Sequence, residues 1–99
     1  MFKKISPFFV YQISGNSMAP AFLNGEKVLV FVWAYIMFKP RINDVVICKF
    51  HKNKLIKRIQ RIDQNEIFVI GDNKKESTDS RSFGYLSTKN ILGKVIFKI

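Results

Sequence analysis

Short apolar segments rich in β-branched and aromatic residues alternate with turn sequences along this chain. No segment keeps a helical hydrophobic period for more than two turns. Asn24-Gly25 and Asn43-Asp44 are typical turn dipeptides between such segments. The pattern predicts an all-β fold with minimal helix. The predicted strands are residues 5–13, 27–32, 45–50, 55–62, 66–70 and 94–99, and residues 86–92 have room for one short helical turn.

Length and charge limit the possible classes of protein. A chain of 99 residues can bury one modest core, so residues 1–99 are interpreted as a single domain. Lys and Arg number 17 against 7 Asp and Glu, and the net charge of +10 favours an anionic partner such as nucleic acid or an anionic membrane face. The basic residues are scattered along the sequence, so an ordinary solvated surface is an equally good interpretation.

The chain has a single cysteine, Cys48, and a single histidine, His51. These counts exclude an internal disulfide, a cysteine-rich zinc site and a multi-histidine metal site. The two residues are three apart in a predicted strand, which places their side chains on opposite faces. A Cys–His catalytic pair is therefore disfavoured, and Cys48 is interpreted as a small core residue. No metal or cofactor is expected.

The apolar segments are too short to cross a bilayer. The longest run, residues 28–38, has eleven residues, against the ~18 to 20 that a spanning helix needs. Residues 1–13 resemble the charged and apolar regions of a signal peptide, but Pro7 and Gln12 interrupt them and no small-residue cleavage site follows. Residues 5–13 are therefore interpreted as the first strand.

One serine has the surroundings of a rigidly held side chain. Gly15 stands two residues before Ser17, and Pro20 stands three residues after it. Glycine permits an unusual backbone conformation and proline fixes the exit of a turn, so the hydroxyl would be held at a bend. Rigid presentation suits a nucleophile, but Ser, Gly and Asn also form ordinary turns. Both interpretations remain open at this point.

A serine nucleophile needs an adjacent base, and a desolvated lysine amine can serve. Residues 55–61 alternate with a period of two, so Lys57 shares one strand face with Leu55 and Ile59. Arg58 points to the other face. The pattern alone favours the more common case, a lysine at a sheet edge, over a buried base. Residues 71–84, rich in short polar side chains, are typical of a loop that satisfies its own hydrogen bonds.

Three sequence blocks occur in a characteristic order. They are Ser17-Met18-x-Pro20, then Lys57-Arg58, then Gly71-Asp72-Asn73 followed by Ser77-x-Asp79-Ser80-Arg81-x-x-Gly84. Together they closely resemble the type I signal peptidases and their relatives, from about residue 13 to the C-terminus. The resemblance implies a Ser/Lys dyad endopeptidase, built from coiled antiparallel β-sheets, that removes a signal peptide or propeptide.

The resemblance also implies a role for each residue of the site. Ser17 would be the nucleophile and Lys57 the general base, with Ser77 orienting the amine. Gly15 stands where some members carry an oxyanion-binding serine, so this chain would use backbone donors, including the Ser17 N–H. Two ion pairs, Asp79 with Arg81 and Asp72 with Arg58, would brace the loop against the lysine strand. The precursor substrate would bind as an extended strand, with small residues before the cut.

The sequence departs from the family pattern at several positions. Ala21 and Phe22 replace the usual Thr and Leu, and Asn43-Asp44 replaces a Gly-Asp turn. Residues 1–16, which precede the serine, are not expected to form the membrane-spanning helix usual in the family, and in this the chain is similar to the short maturation proteases of nickel superoxide dismutase. A membrane-associated or cytoplasmic location is expected.

The alternative function is a non-catalytic basic β-domain that binds nucleic acid or anionic membrane. Nucleic acid is not expected, because the aromatics gather in residues 31–38 with few charges rather than alternating with Lys and Arg. That cluster would either lie on lipid, with Trp33 and Tyr35 at the interface, or pack in the core.

Overall fold

The computed structural model describes residues 6–99, in which seven strands and two one-turn α-helices occur. The strands are β1 (Phe8–Gln12), β2 (Lys27–Phe31), β3 (Val45–Phe50), β4 (Asn53–Asp63), β5 (Glu66–Ile70), β6 (Leu86–Ser87) and β7 (Ile91–Lys98). The helices are α1 (Ala34–Met37) and α2 (Ser80–Phe83), and 3-10 turns lie at Lys74–Glu76 and Thr88–Asn90. The all-β prediction is confirmed.

The strand boundaries differ from the predicted ones where pairing extends them. The strands predicted at 45–50 and 66–70 have the predicted bounds. β4 begins two residues early because Asn53 pairs with Phe50 across a tight turn, and β7 begins at Ile91 because Ile91 pairs with Cys48. The predicted first strand is shorter at 8–12. Its first residue, and the charged start of the signal-peptide-like segment, lie outside the described residues.

Within residues 6–99, all strands join one antiparallel sheet in the order β1-β2-β7-β3-β4-β5-β6. The sheet curls strongly, since Tyr11 of β1 donates a hydrogen bond to the Lys54 carbonyl of β4 (3.3 Å), although three strands separate β1 from β4. Irregular register in three of the strand pairs adds to the local twist.

Two hydrophobic cores lie on opposite faces of β3. One core gathers Ile13, Met18, Val28, Val30, Val45, Ile47, Ile56 and Val95, and the other gathers Val46, Cys48, Ile59, Ile67, Val69 and Leu86. Alternate residues of β3 enter alternate cores because strand side chains point to opposite faces in turn. Cys48 is fully buried, as interpreted from the sequence, and His51 is exposed in the turn that follows β3.

The apolar segment after β2 turns into α1 rather than extending as a strand. Tyr35 packs against the second core, and its hydroxyl donates a hydrogen bond to Asp44 (2.7 Å). Trp33, Ile36, Met37 and Phe38 are exposed, and Ile36 is 82% exposed. The two interpretations of this cluster therefore divide between residues: Ala34 is buried and Tyr35 is packed, whereas the other four side chains are exposed. No helix in residues 6–99 has the length and apolar character to traverse a bilayer.

Candidate active site

The turn that carries Ser17 is anchored in the first core. Met18, the next residue, is completely buried, and its carbonyl accepts from the Phe22 N–H (2.9 Å). Its sulfur accepts from the Asp72 N–H at 3.4 Å. Ser17 itself is half-buried. The apolar side chain of Met18 thus fixes the backbone from which the Ser17 hydroxyl projects.

Lys57 is a buried lysine, with only 2% of its surface exposed. Its neighbours on the same face of β4, Leu55 and Ile59, both belong to the second core, so the face predicted from the sequence is confirmed. The Lys57 ammonium donates to Ser77 Oγ at 2.9 Å. Burial lowers the pKa of Lys57 below its ordinary value and outweighs the nearby Asp79 carboxylate, which raises it. The fold therefore favours the neutral amine more than water does.

Asp79 is the centre of the hydrogen-bond network behind Lys57. Its buried carboxylate accepts from Ser77 Oγ (2.7 Å), from the Gly71 N–H (2.8 Å) and from the Arg81 guanidinium (2.9 and 3.0 Å). Burial alone would raise the pKa of this carboxyl, but the hydrogen bonds from Arg81, Gly71 and Ser77 hold it far below its usual range. Ser77 donates to Asp79, so its oxygen lone pairs face the Lys57 amine.

Gly71 is where the serine turn and the lysine network meet. A Cβ at this position would overlap Ser77 Oγ and would lie 2.6 Å from the Ser17 carbonyl oxygen. Only glycine permits this approach. Within residues 6–99, Ser17 Oγ makes no direct hydrogen bond with Lys57 Nζ. Gly71 thus lies beside both the Ser17 carbonyl and the Ser77 hydroxyl that accepts from Lys57.

The Arg58–Asp72 ion pair ties the loop to β4. Two parallel hydrogen bonds of 2.8 Å join the guanidinium fork to the carboxylate. Arg58 also donates to the Asn43 carbonyl (3.0 Å), and Asn43 has a positive φ of 79°. That conformation suits Gly or Asn, which explains the Asn at this turn. The Asp79–Arg81 pair is different, since both of its members lie in the loop itself.

Gly15 and Ser17 differ in the availability of their N–H groups. The Gly15 N–H donates to Asn24 Oδ1 (2.8 Å), and Gly15 has a φ of +87°. No oxygen in residues 6–99 accepts from the Ser17 N–H. Ser17 thus has a free donor beside its own hydroxyl, whereas Gly15 serves the turn. The oxyanion role of Gly15 stays a prediction.

Three residues of the site, Asp79, Asn73 and Ser80, make contacts that the sequence did not predict. Asp79 was predicted only as a partner of Arg81, yet it also accepts from Ser77 and Gly71. Asn73 bonds the serine turn, and Ser80 Oγ accepts from the Val69 N–H (2.9 Å). An Asp followed by a short helical segment is a recognisable N-cap signal, and it could have indicated that Asp79 accepts backbone hydrogen bonds.

Comparison with known proteins finds relatives in one family. The family model described as "Signal peptidase, peptidase S26" matches residues 60–99, a stretch that includes the loop but neither Ser17 nor Lys57. Signal peptidase I of Buchnera aphidicola subsp. Baizongia pistaciae is 32% identical over 84 residues, covering 85% of this chain and 27% of that protein. The probable signal peptidase I-1 of Synechocystis sp. is 23% identical over 143 residues, covering 92% of this chain and 72% of that protein. The chain spans about a quarter of the length of the Buchnera relative.

Proposed function

Since the chain belongs to the type I signal peptidase family, we propose that it is a serine endopeptidase that removes an N-terminal signal peptide or propeptide from a precursor protein. Ser17 is the nucleophile and Lys57 the general base. The observation that carries this proposal is the buried Lys57 amine, which donates to Ser77 Oγ, together with Gly71, which lies close to both Ser77 and the Ser17 carbonyl.

In the proposed reaction, neutral Lys57 takes the proton of the Ser17 hydroxyl while Oγ bonds to the scissile carbonyl carbon. The carbonyl π electrons move to its oxygen, and the free Ser17 N–H stabilises the resulting charge. Lys57 then gives its proton to the leaving amine as the C–N bond breaks. Water, activated by the same amine, releases the peptide acid from Ser17.

Ser77 and Asp79 support the base without touching the substrate. Ser77 Oγ donates its single hydrogen bond to Asp79. Toward Lys57 it can therefore act only as an acceptor, and the Lys57 amine must be the donor. This arrangement holds the amine in one direction while it exchanges a proton.

The free edge of β1 is the proposed substrate surface. β1 is the first strand in the sheet order and leads into the Ser17 turn. Its exposed edge offers backbone groups to an extended peptide, as strand addition requires. The family pattern named in the sequence analysis supports small residues before the cut.

A second element of the proposal is a membrane surface around α1. Ile36, Met37 and Phe38 are exposed at its tip. Two grooves of about 500 and 260 Å³ flank the helix and carry the cations Lys39, Arg41, Lys89 and Lys94. Apolar residues rimmed by cations suit an anionic bilayer. Neither groove includes Ser17 or Lys57, so this surface is separate from the dyad.

Substitution of the dyad tests the proposed chemistry. Ser17→Ala and Lys57→Met should each reduce cleavage of a propeptide-like peptide to background, because each removes an atom that the proton transfer needs. Ser82→Ala and Lys54→Met, at exposed positions, are the matched controls and should retain activity. Cleavage is followed by mass spectrometry, and circular dichroism checks folding. Full activity in either dyad variant would refute the Ser/Lys mechanism.

A further inference from the structure

Asn73 holds two successive carbonyl groups of the serine turn. Its backbone N–H donates to the Ser17 carbonyl at 2.9 Å, and its side-chain amide donates to the Asn16 carbonyl at 3.1 Å. The Asn16 carbonyl also accepts from the Ala19 N–H at 3.1 Å. The peptide group between Asn16 and Ser17 is therefore fixed from two sides.

The orientation of this peptide group decides where the Ser17 N–H points. A trans peptide is planar, and its C=O and N–H point in opposite directions. Because the Asn16 oxygen faces Asn73, the Ser17 N–H faces away from Asn73. This is the N–H that finds no acceptor in the described part of the chain.

Glu76 determines which end of the Asn73 amide faces the turn. The amide nitrogen donates to Glu76 Oε2 at 3.0 Å as well as to the Asn16 oxygen. An ionised carboxylate only accepts hydrogen bonds, and so does a carbonyl. Both neighbours thus require the NH₂ group, and the flipped amide would set oxygen against oxygen twice.

We propose that Asn73 is a positioning residue for the oxyanion. It orients the Ser17 N–H toward the oxygen that gains charge when Ser17 Oγ bonds to a carbonyl carbon. The inference rests on the proposed function of this site and deepens it. Asn73 acts through Ser17 and does not itself contact the substrate.

A pair of inhibitors separates oxyanion binding from ordinary binding. Ser17 Oγ adds to the carbonyl carbon of a peptide aldehyde: its proton passes to Lys57, the π pair of the C=O bond moves to the aldehyde oxygen, and that oxygen occupies the oxyanion position. The same peptide ending in a primary alcohol cannot add. Loss of one oxyanion donor lowers kcat by about 10²–10³-fold, so a misdirected donor should weaken aldehyde binding on the order of tenfold.

For Asn73→Ala we therefore expect aldehyde inhibition to weaken on the order of tenfold and kcat to fall by a similar factor. Binding of the alcohol and the KM should stay within about twofold of the wild-type values. Asn73→Ser, whose hydroxyl is too short to reach the Asn16 oxygen, should behave alike and provides a second variant if the first does not fold. Asp72→Ala is the control, because it loosens the same loop without removing a bond to the turn.

The results separate this inference from the proposed function. If Asn73→Ala and Asn73→Ser keep the wild-type ratio of aldehyde to alcohol affinity, the inference is wrong. It is also wrong if Asp72→Ala lowers that ratio equally, since general loosening would then explain the loss. If the wild type cleaves no peptide and binds aldehyde and alcohol alike, the proposed function itself fails and the inference falls with it.

Discussion

The protein environment lowers the pKa of Lys57, and the proposed function depends on this change. Its side chain lies on the face of β4 that packs against the second core, and within residues 6–99 only Ser77 accepts a hydrogen bond from its ammonium. Nearby Arg81 adds to the effect of burial in lowering the pKa, while Asp79 opposes it. A charged lysine in this position is therefore costly, and the neutral form is the one that can act as a base.

The peptidase rate should rise with pH, with a midpoint below the ordinary lysine value of 10.5, because the base must be deprotonated. The same shift affects stability. Between the lowered pKa and 10.5 the unfolded chain binds more protons than the native state, so the free energy of unfolding rises with pH. Initial rates and denaturant titrations over pH 7–10 measure both effects.

Lys57→Met supplies the control for stability, since it removes the titrating group. The wild type should gain free energy of unfolding with pH faster than this variant. Equal slopes for the two proteins would contradict a lowered Lys57 pKa.

The loop of residues 71–84 is the element that assembles the site. It contributes Gly71, Ser77 and Asp79, and it is tied to β4 by the double hydrogen bond between Arg58 and Asp72. Both side chains of that pair are less than a third exposed. A bidentate pair depends on the planar guanidinium as well as on charge.

Asp72→Ala should lower the free energy of unfolding by about 1 kcal/mol and slow peptide cleavage, because the loop loses its attachment to the lysine strand. Arg58→Lys should lower stability to a similar degree, since lysine keeps the charge but not the fork. Asp63→Ala removes an exposed acid at the end of β4 and is the matched control. Denaturant unfolding and initial rates give the comparison. An Asp72 variant as stable and active as Asp63→Ala would show that the pair contributes nothing.

The sequence predicts strands better than contacts between distant segments. Alternation identified most strands and the buried face of Lys57, because both depend on neighbours within a few residues. The helix α1 was missed since Tyr35 is held by Asp44 and the second core. The role of Gly71 was also hidden, because it depends on Ser17, 54 residues earlier in the chain. Resemblance to a family supplied the site residues, which periodicity alone left open.

At the scale of the whole molecule, the net charge of +10 and the exposed tip of α1 would act together in the proposed membrane contact. Long-range attraction would bring the protein to an anionic bilayer, and apolar contact at the tip would hold it there. Neither effect alone gives strong binding at physiological ionic strength.

In flotation experiments, the protein should bind phosphatidylglycerol-containing vesicles at low salt and bind phosphatidylcholine vesicles weakly. The double variant Ile36→Ser with Met37→Ser should reduce binding several-fold, because the apolar contact is lost. Phe97→Ser removes a comparably exposed apolar residue on β7 and serves as the control. Equal flotation of the wild type and the double variant would exclude α1 as the membrane contact.

The two cores have a consequence for how this protein can lose its activity. Met18, beside the proposed nucleophile Ser17, is buried in one core, while the proposed base Lys57 lies on the strand face that packs against the other. The alignment of hydroxyl and amine thus depends on how two hydrophobic layers sit across a single shared strand. A substitution deep in either layer, remote from the proposed reacting atoms, can therefore shift one layer against the other and lower the proposed activity together with the stability.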